Sequence, residues 1–291
     1  MNPVPVVGRF APSPTGDLHF GSLVSAVGSY LEARSKGGAW LLRIEDIDPP
    51  REIAGSANRI IDDLNRLGMN PDGPVLYQSS RLVAYQHAVD RLLERGLAYP
   101  CACSRKDLSP SGKYTGTCRN GILPGKIPRS IRFRVDNTVR NFSDRLQDLV
   151  SDSPADISGD FIIRRADGLF AYQLAVVVDD DFQGVTQVVR GADLLDSTCR
   201  QINLQKALGL TSPDYLHLPV VISADGKKLS KRIQADPVKD QDPAYAVRQA
   251  LIFLGQDPPP GLSLHDLWAW ALEYWDIGLI PRVRTICPKS P

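Results

Sequence analysis

A chain of 291 residues with 34 Lys and Arg against 33 Asp and Glu has a formal charge of +1, so no global field draws it to nucleic acid, and any RNA contact must come from local basic patches. Hydrophobic residues make up 43% and charged residues 23%, the balance of a soluble globular protein of one large or two modest domains. The apolar run 174–178 is too short for a membrane span, the opening Met-Asn-Pro-Val-Pro lacks the basic start and apolar core of a signal peptide, and five unevenly spaced cysteines make no disulfide framework; a cytoplasmic protein with no membrane partner is expected.

Residues 4–10 are apolar and β-branched and read as a buried strand. Pro12, Pro14 and Gly16 stop it, and a helix over 22–33 follows, with Leu23, Ala26, Val27, Tyr30 and Leu31 on one face. A strand, a turn and a helix N-terminus form a phosphate-binding arrangement, in which His19 adds a donor and Gly21 lets a nucleotide base approach the backbone. The pattern is neither a P-loop nor GxGxxG. Residues 40–45 read as a second strand ending in the acidic turn of Glu45, Asp46 and Asp48; Glu45, at a strand's carboxyl end, is placed to hold an ammonium group, although an isolated acidic cluster also reads as a solvated turn. Helices are expected over 55–67, with Ser56 as N-cap and Gly68 as stop, and from 77 to about 95, stopped by Gly96; His87 within the second is left without a role.

Cys101, Cys103 and Cys118 then fall within eighteen residues of a polar segment with little core material. Three thiolates suit a tetrahedral Zn²⁺ whose fourth ligand is open, Tyr114 being the candidate; three reduced thiols without metal is the other reading. Arg119, Lys126, Arg129, Arg132, Arg134 and Arg140 follow, a basic stretch that is either a solvated face or a set of phosphate contacts, with 131–135 alternating as a half-buried strand. A strand over 161–165, a turn at Asp167-Gly168 and a return strand over 169–178, closed by Asp179, Asp180 and Asp181, come next. Arg190 stands at the start of a helix running to about 208, where a cation is disfavoured unless an anion binds nearby. A last strand over 215–223 places His217 on one face and leads to the lysine cluster around Lys228 and Lys231. Two short helices over 244–254 and 264–274 finish the chain, too short and insufficiently basic for a large RNA-reading domain.

The stretch RFAPSPTG…HFGS, followed by RIEDIDPPR and by KLSK after the last core strand, resembles the two signatures of class I aminoacyl-tRNA synthetases and, in its flanks, their glutamyl branch. The resemblance covers residues 4–232. It implies an α/β fold: a Rossmann-like nucleotide-binding core with a parallel sheet in two halves, 1–98 and 161–232, an inserted zinc-binding subdomain over 99–160, and a short helical segment over 233–291. It implies that His19, Gly21, Lys228 and Lys231 serve catalysis, with His19, Gly21 and Lys231 on ATP and the lysines closing over the triphosphate. It implies that Arg9, Ala11, Ser13, Glu45, Tyr172 and Arg190 bind glutamate, Glu45 taking the α-amino group, and that Cys101, Cys103, Tyr114 and Cys118 hold one structural Zn²⁺, with Mg²⁺ accompanying ATP. Two arginines match a dicarboxylate as guanidinium forks. Larger glutamyl-tRNA synthetases commonly carry Asn where this chain has Val176.

The chain stops some sixty residues past KLSK, and with Tyr172, Val176 and the run 183–194 it resembles the glutamyl-queuosine tRNA(Asp) synthetases, which activate glutamate and attach it to queuosine in the anticodon of tRNA(Asp) rather than to the 3′ end. A monomeric ATP-dependent ligase is the expectation. A minimal glutamyl-tRNA synthetase charging the 3′ end and a non-catalytic tRNA- or nucleotide-binding paralogue stand as alternatives.

Overall fold

The structure is a computed structural model and describes residues 5–136, 141–151, 153, 158–223 and 238–287. Lys228 and Lys231 therefore lie outside the described residues, as does Arg140.

Strand β1 (Val7–Phe10) runs into helix α1 (Phe20–Arg34), which returns the chain to β2 (Ala39–Ile44), parallel to β1; β3 (Leu76–Tyr77) extends the same parallel sheet beyond β2. The helix forms because Leu23, Val24, Ala26, Val27 and Leu31 recur at helical spacing and are all buried. A Cβ at Gly28 would lie 2.5 Å from Leu218 Cδ1, so glycine lets α1 press against the second half of the core. That half is a four-stranded sheet in which β9 (Gln187–Gly191), β10 (Asp214–Leu218) and β6 (Asn141–Asp144) are parallel and β7 (Asp148–Ser151) turns back antiparallel. The halves meet where Thr186 N donates to Val7 O (3.0 Å) and Val7 N donates to Thr186 Oγ1 (2.9 Å). From this seam strand order proceeds outward in both directions, the switch point at whose carboxyl ends open α/β sheets bind ligands.

Helices α2 (Ser56–Arg66) and α3 (Leu82–Glu94) lead to an antiparallel sheet of β4 (Ala98–Cys101), β5 (Ser130–Phe133) and β8 (Phe161–Arg164). The region 99–160 is interlocked with its surroundings: its hairpin β6–β7 completes the parallel sheet, whereas β8, from the segment that follows, completes the antiparallel one. Helices α4 (Tyr172–Phe182) and α5 (Leu195–Leu208) come next, then α6 (Pro243–Phe253) and α7 (Leu264–Tyr274). The last two belong to the main core: Phe253 packs edge-on to Phe20, Trp268 edge-on to Tyr30, and Trp268 Nε1 donates to Leu67 O (2.8 Å).

Three expectations change. The return strand over 169–178 ends at Phe170, which bridges to Arg164, and Tyr172–Phe182 is helix α4. Leu174, Ala175, Val176 and Val177 are all buried, and an apolar run covered on every side has the same sequence signature in a helix as in a central strand. Arg190 lies inside strand β9, not at a helix start, because Gln187–Gly191 is a short central strand whose burial hides its alternation. Ser56 does not cap α2; Gly55, at φ 74°, takes that place, and the Ser56 hydroxyl instead donates to Gly16 O (2.6 Å) and accepts from Gly16 N (3.0 Å). The hairpin β6–β7 had no expectation, its polar turn masking two four-residue strands.

Candidate functional site

The carboxyl ends of β1, β2 and β9 open into a cleft of about 630 Å³. Eight of the expected residues line it together: Arg9, Ala11, Ser13, His19, Gly21, Glu45, Tyr172 and Arg190. They come from β1 and the loop after it, the start of α1, the end of β2, the start of α4 and β9. The loop is held from below, Glu45 N donating to Pro12 O (2.9 Å), Ile53 N to Pro14 O (2.9 Å) and Ser56 gripping Gly16.

His19 folds back on the helix it opens: Nδ1 accepts from Ser22 N (3.2 Å), and Nε2 lies 3.0 Å from Ser22 Oγ. An acceptor at Nδ1 leaves the neutral ring's proton on Nε2, the atom placed to donate to an oxygen. A Cβ at Gly21 would lie 3.3 Å from the ring, so glycine here makes room for the histidine.

The cleft floor is a buried charge network. Arg9 Nε donates to Asp180 Oδ1 (3.2 Å) and its Nη1 to Val189 O (3.4 Å). Arg43, fully buried on β2, donates to the same Asp180 oxygen (2.8 Å) and to Gln183 Oε1 (2.7 Å), and lies 3.6 Å from Glu45. Beside it Asp179 accepts from Gln78 (2.9 Å), Arg81 (3.1 Å) and Tyr85 (2.5 Å). Burial pushes the Glu45 carboxyl up to about 7 despite the attraction of Arg43 and Arg9, with Asp180 and Asp179 adding to the rise. Burial also opposes the charge of Asp180, but the two guanidiniums hold that carboxyl below its usual range.

The opposite wall is Arg190. Its Nε donates to His217 Nε2 (3.0 Å), Nη2 to Thr198 Oγ1 (2.9 Å), and Nη1 reaches toward the Tyr172 hydroxyl (3.4 Å). His217 Nδ1 in turn is 2.6 Å from Asp144 Oδ2. Burial pushes His217 down to about 4, so the ring is neutral at pH 7. Arg43, Asp179, Asp180, Thr198 and the Asp144–His217 pair had no assigned role in the sequence. The acidic doublet after an apolar run was the signal for the aspartates; the others sit far apart in the chain and show none.

Away from the cleft, the loop after β4 gathers Cys101, Cys103 and Cys118, all buried, their sulfurs within 4.8 Å of one another. Cys103 Sγ is 3.5 Å from Cys118 Sγ, and the Tyr114 hydroxyl lies 3.5 Å from Cys101 Sγ and 3.9 Å from Cys103 Sγ. A tetrahedral Zn²⁺ with Zn–S bonds near 2.3 Å separates its ligands by roughly 3.8 Å, close to the Cys103–Cys118 separation and to those of the Tyr114 hydroxyl from Cys101 and Cys103. Burial works against a Cys101 thiolate, but the Tyr114 hydroxyl, Cys103 N–H and Arg132 outweigh it and bring that thiol down to about 7. The basic stretch beside it is largely structural. Arg132 is buried, donating to Cys101 Sγ (3.3 Å) and Asp160 O (2.8 Å); Arg119 pairs with Asp160 (3.0 Å), and Arg134 donates to Arg119 O (2.7 Å). Lys126 and Arg129 are exposed.

Residues 5–259 match the family model of the tRNA synthetases class I (E and Q), catalytic domain. The chain is 52% identical over 294 residues to the glutamyl-Q tRNA(Asp) synthetase of Dechloromonas aromatica (strain RCB), covering 97% of this chain and 98% of the relative. It is 50% identical over 291 residues to the glutamyl-Q tRNA(Asp) synthetase of Chromobacterium violaceum, covering 97% and 98%. Among solved structures, a glutamate tRNA ligase from Elizabethkingia meningosepticum in complex with its amino acid is similar with a TM-score of 0.79 at 25% identity; the match covers 96% of this chain but 66% of that longer one. The chain thus belongs to the class I tRNA synthetases of the glutamyl branch, within the glutamyl-Q tRNA(Asp) synthetase family.

Proposed function

We propose that the protein activates L-glutamate with ATP and transfers the glutamyl group to queuosine in the anticodon of tRNA(Asp), acting as a cytoplasmic monomer. One observation carries this reading: the cleft's charges complement the substrate. Arg9, Arg190 and Glu45 line the cleft together, two guanidiniums and one carboxylate set against a substrate with two carboxylates and one ammonium. Glu45 takes the ammonium, and Arg9 and Arg190 take the carboxylates, Arg190 through the Nη1 that its other partners leave turned to the cleft. Glutamine would set amide donors against arginine donors.

ATP enters beside the glutamate at the start of α1. The α-carboxylate oxygen attacks the α-phosphorus, the bond to the bridging oxygen breaks, and pyrophosphate leaves with the electron pair. His19 Nε2–H and the first N–H groups of α1 meet the triphosphate, and Lys228 and Lys231 complete its positive surroundings. A hydroxyl of the acceptor then attacks the glutamyl carbonyl, expelling AMP. Queuosine's cyclopentenediol offers a hydroxyl as a terminal ribose does, and unpaired loops are the RNA elements that proteins read most readily.

Cys101, Cys103, Cys118 and Tyr114 hold one Zn²⁺, which ties together a loop with little core of its own. Among the described residues these thiols are the only group of three or more His, Cys, Asp or Glu arranged to share a metal ion. Mg²⁺ accompanies ATP on its phosphates. No helix among the described residues is long and apolar enough to cross a membrane.

The test is glutamate transfer to queuosine-containing tRNA(Asp) whose 3′-terminal adenosine has been removed. Labelling that persists there and disappears on queuosine-free tRNA is the expected result. Labelling that vanishes with the terminal adenosine leaves a glutamyl-tRNA synthetase charging the 3′ end, and no glutamate-dependent ATP–pyrophosphate exchange leaves a non-catalytic paralogue.

A further inference from the structure

Behind the cleft wall stands a line of polar groups that no substrate reaches. Asp144 closes β6, and neither it nor His217 lines the cleft. Asp144 Oδ1 accepts three backbone N–H groups, those of Leu146 (3.0 Å), Gln147 (2.9 Å) and His217 (3.2 Å), which leaves Oδ2 for His217 Nδ1 at 2.6 Å. The His217 ring stacks on Tyr215, with planes 14° apart, and Phe142 lies against it from β6, so it has one orientation. On its far side the ring meets Arg190 Nε.

These partners determine the proton's position. A guanidinium only donates, so His217 Nε2 accepts from Arg190 Nε, and the Thr198 hydroxyl, 3.2 Å from the same nitrogen, can donate to it while accepting from Arg190 Nη2. The proton of the neutral ring then sits on Nδ1 and is donated to Asp144, which only accepts. With Nε held by His217 and Nη2 by Thr198, the guanidinium plane is set from two sides and Nη1 is turned to the cleft beside Tyr172. A proton on Nε2 would place donor against donor and push Arg190 off that plane.

We propose that Asp144 and His217 are positioning residues which, through the ring tautomer, aim Arg190 at the substrate's side-chain carboxylate and so set the preference for glutamate over glutamine. The hairpin β6–β7 thereby acquires a role in specificity at a distance from the cleft. The proposal rests on the glutamate reading of the cleft, but its tautomer component is observable without substrate.

The decisive variant is Asp144→Asn. Its amide oxygen can still accept the three backbone N–H groups, so the hairpin is retained, but its NH₂ faces His217 Nδ1 and drives the proton to Nε2. In ¹⁵N-imidazole spectra of the substrate-free protein, His217 is expected as the Nδ1–H form in the wild type and the Nε2–H form in the variant; with four histidines in the chain the assignment is tractable. In glutamate-dependent ATP–pyrophosphate exchange the variant should raise KM for glutamate about 10- to 100-fold, leave KM for ATP within about threefold, and narrow the glutamate-to-glutamine ratio. His217→Ala, which removes the acceptor outright, should raise KM for glutamate by a similar factor, and adding Asp144→Asn to it should cost little more, because the ring that carries the effect is already gone. An unchanged His217 tautomer in Asp144→Asn overturns the proposal, as does a parallel rise in KM for glutamate and ATP, which marks a general structural role. A wild type that shows the Nδ1–H form but no glutamate-dependent exchange counts against the glutamate reading and leaves the tautomer assignment standing.

Discussion

The cleft and the cysteine loop are both clusters of buried titratable groups, and they are held in opposite ways. At the cleft the three buried arginines are anchored by partners far away in the chain: Arg9 by Asp180, Arg43 by Asp180 and Gln183, Arg190 by His217. The cluster is nearly local, its three sulfurs and the Tyr114 hydroxyl falling between residues 101 and 118, with a small apolar set of its own. The cleft is thus a product of the folded sheet, whereas the loop gathers residues close together in sequence, and a metal bound there would add stability that its small apolar set does not supply. The two should fail separately.

Metal removal should have the largest effect. Structural zinc contributes on the order of 10 kcal/mol in zinc-finger peptides. Chelation is expected to release one zinc per chain and to open residues 101–129 to amide exchange while β1 and α1 stay protected. Loss of protection in α1 as well would show that the two regions are one cooperative unit. The reciprocal experiment is Asp180→Ala, which leaves Arg9 and Arg43 buried without their carboxylate. A cost of about 3–5 kcal/mol is expected in denaturant unfolding, with zinc content unchanged.

Glu45→Gln removes the ammonium partner while keeping the shape. KM for glutamate should rise by about 30- to 100-fold, corresponding to roughly 2–3 kcal/mol, in ATP–pyrophosphate exchange. The same carboxyl predicts a pH dependence. It is raised from 4.5 to about 7 in the empty protein by burial, opposed by Arg43 and Arg9 and reinforced by Asp180 and Asp179. The folded state therefore holds a proton that the unfolded chain has released, so Glu45's contribution to the empty protein's stability is greatest below pH 4.5 and is lost as pH rises to about 7. Glutamate needs the ionised form, so its affinity should climb up to tenfold per unit toward pH 7 and then level off. Calorimetric titration from pH 5.5 to 8 checks this, and in Glu45→Gln the slope should vanish.

The smallest effect concerns neither region. Trp275 Nε1 donates to Glu32 Oε2 (2.8 Å), tying the C-terminal segment to α1, and Glu32 also pairs with Arg145 and Lys36. Trp275→Phe should cost about 1 kcal/mol of stability and leave glutamate activation untouched. A larger loss of activity would mean that the C-terminal helices steer the cleft.

The site was readable in the sequence wherever chemistry is written in consecutive residues. The corner from Arg9 to Ser22, the strand end at Glu45 and the cysteines with Tyr114 all appear as short strings, because a tight turn before a helix or a loop that gathers thiols is a local object. The amphipathic and turn-bounded elements were readable for the same reason: α7 runs over Leu264–Tyr274 as its spacing requires, and Gly68 and Gly96 stop their helices at φ 79° and 67°. What only the tertiary structure decided is whatever depends on burial from both sides or on partners far apart. Residues 172–182 became helix α4 because α3 and α5 cover an apolar run that would suit a strand equally well, and Arg190 became a strand residue because β9 is hidden between β1 and β10. Sequence by itself picked out side chains that line the cleft. Folding decided what stands behind them, Asp180 for Arg9 and the Asp144–His217 pair for Arg190, because a buried charge takes whichever partner the packed sheet brings within hydrogen-bond reach, and no spacing along the chain records that distance.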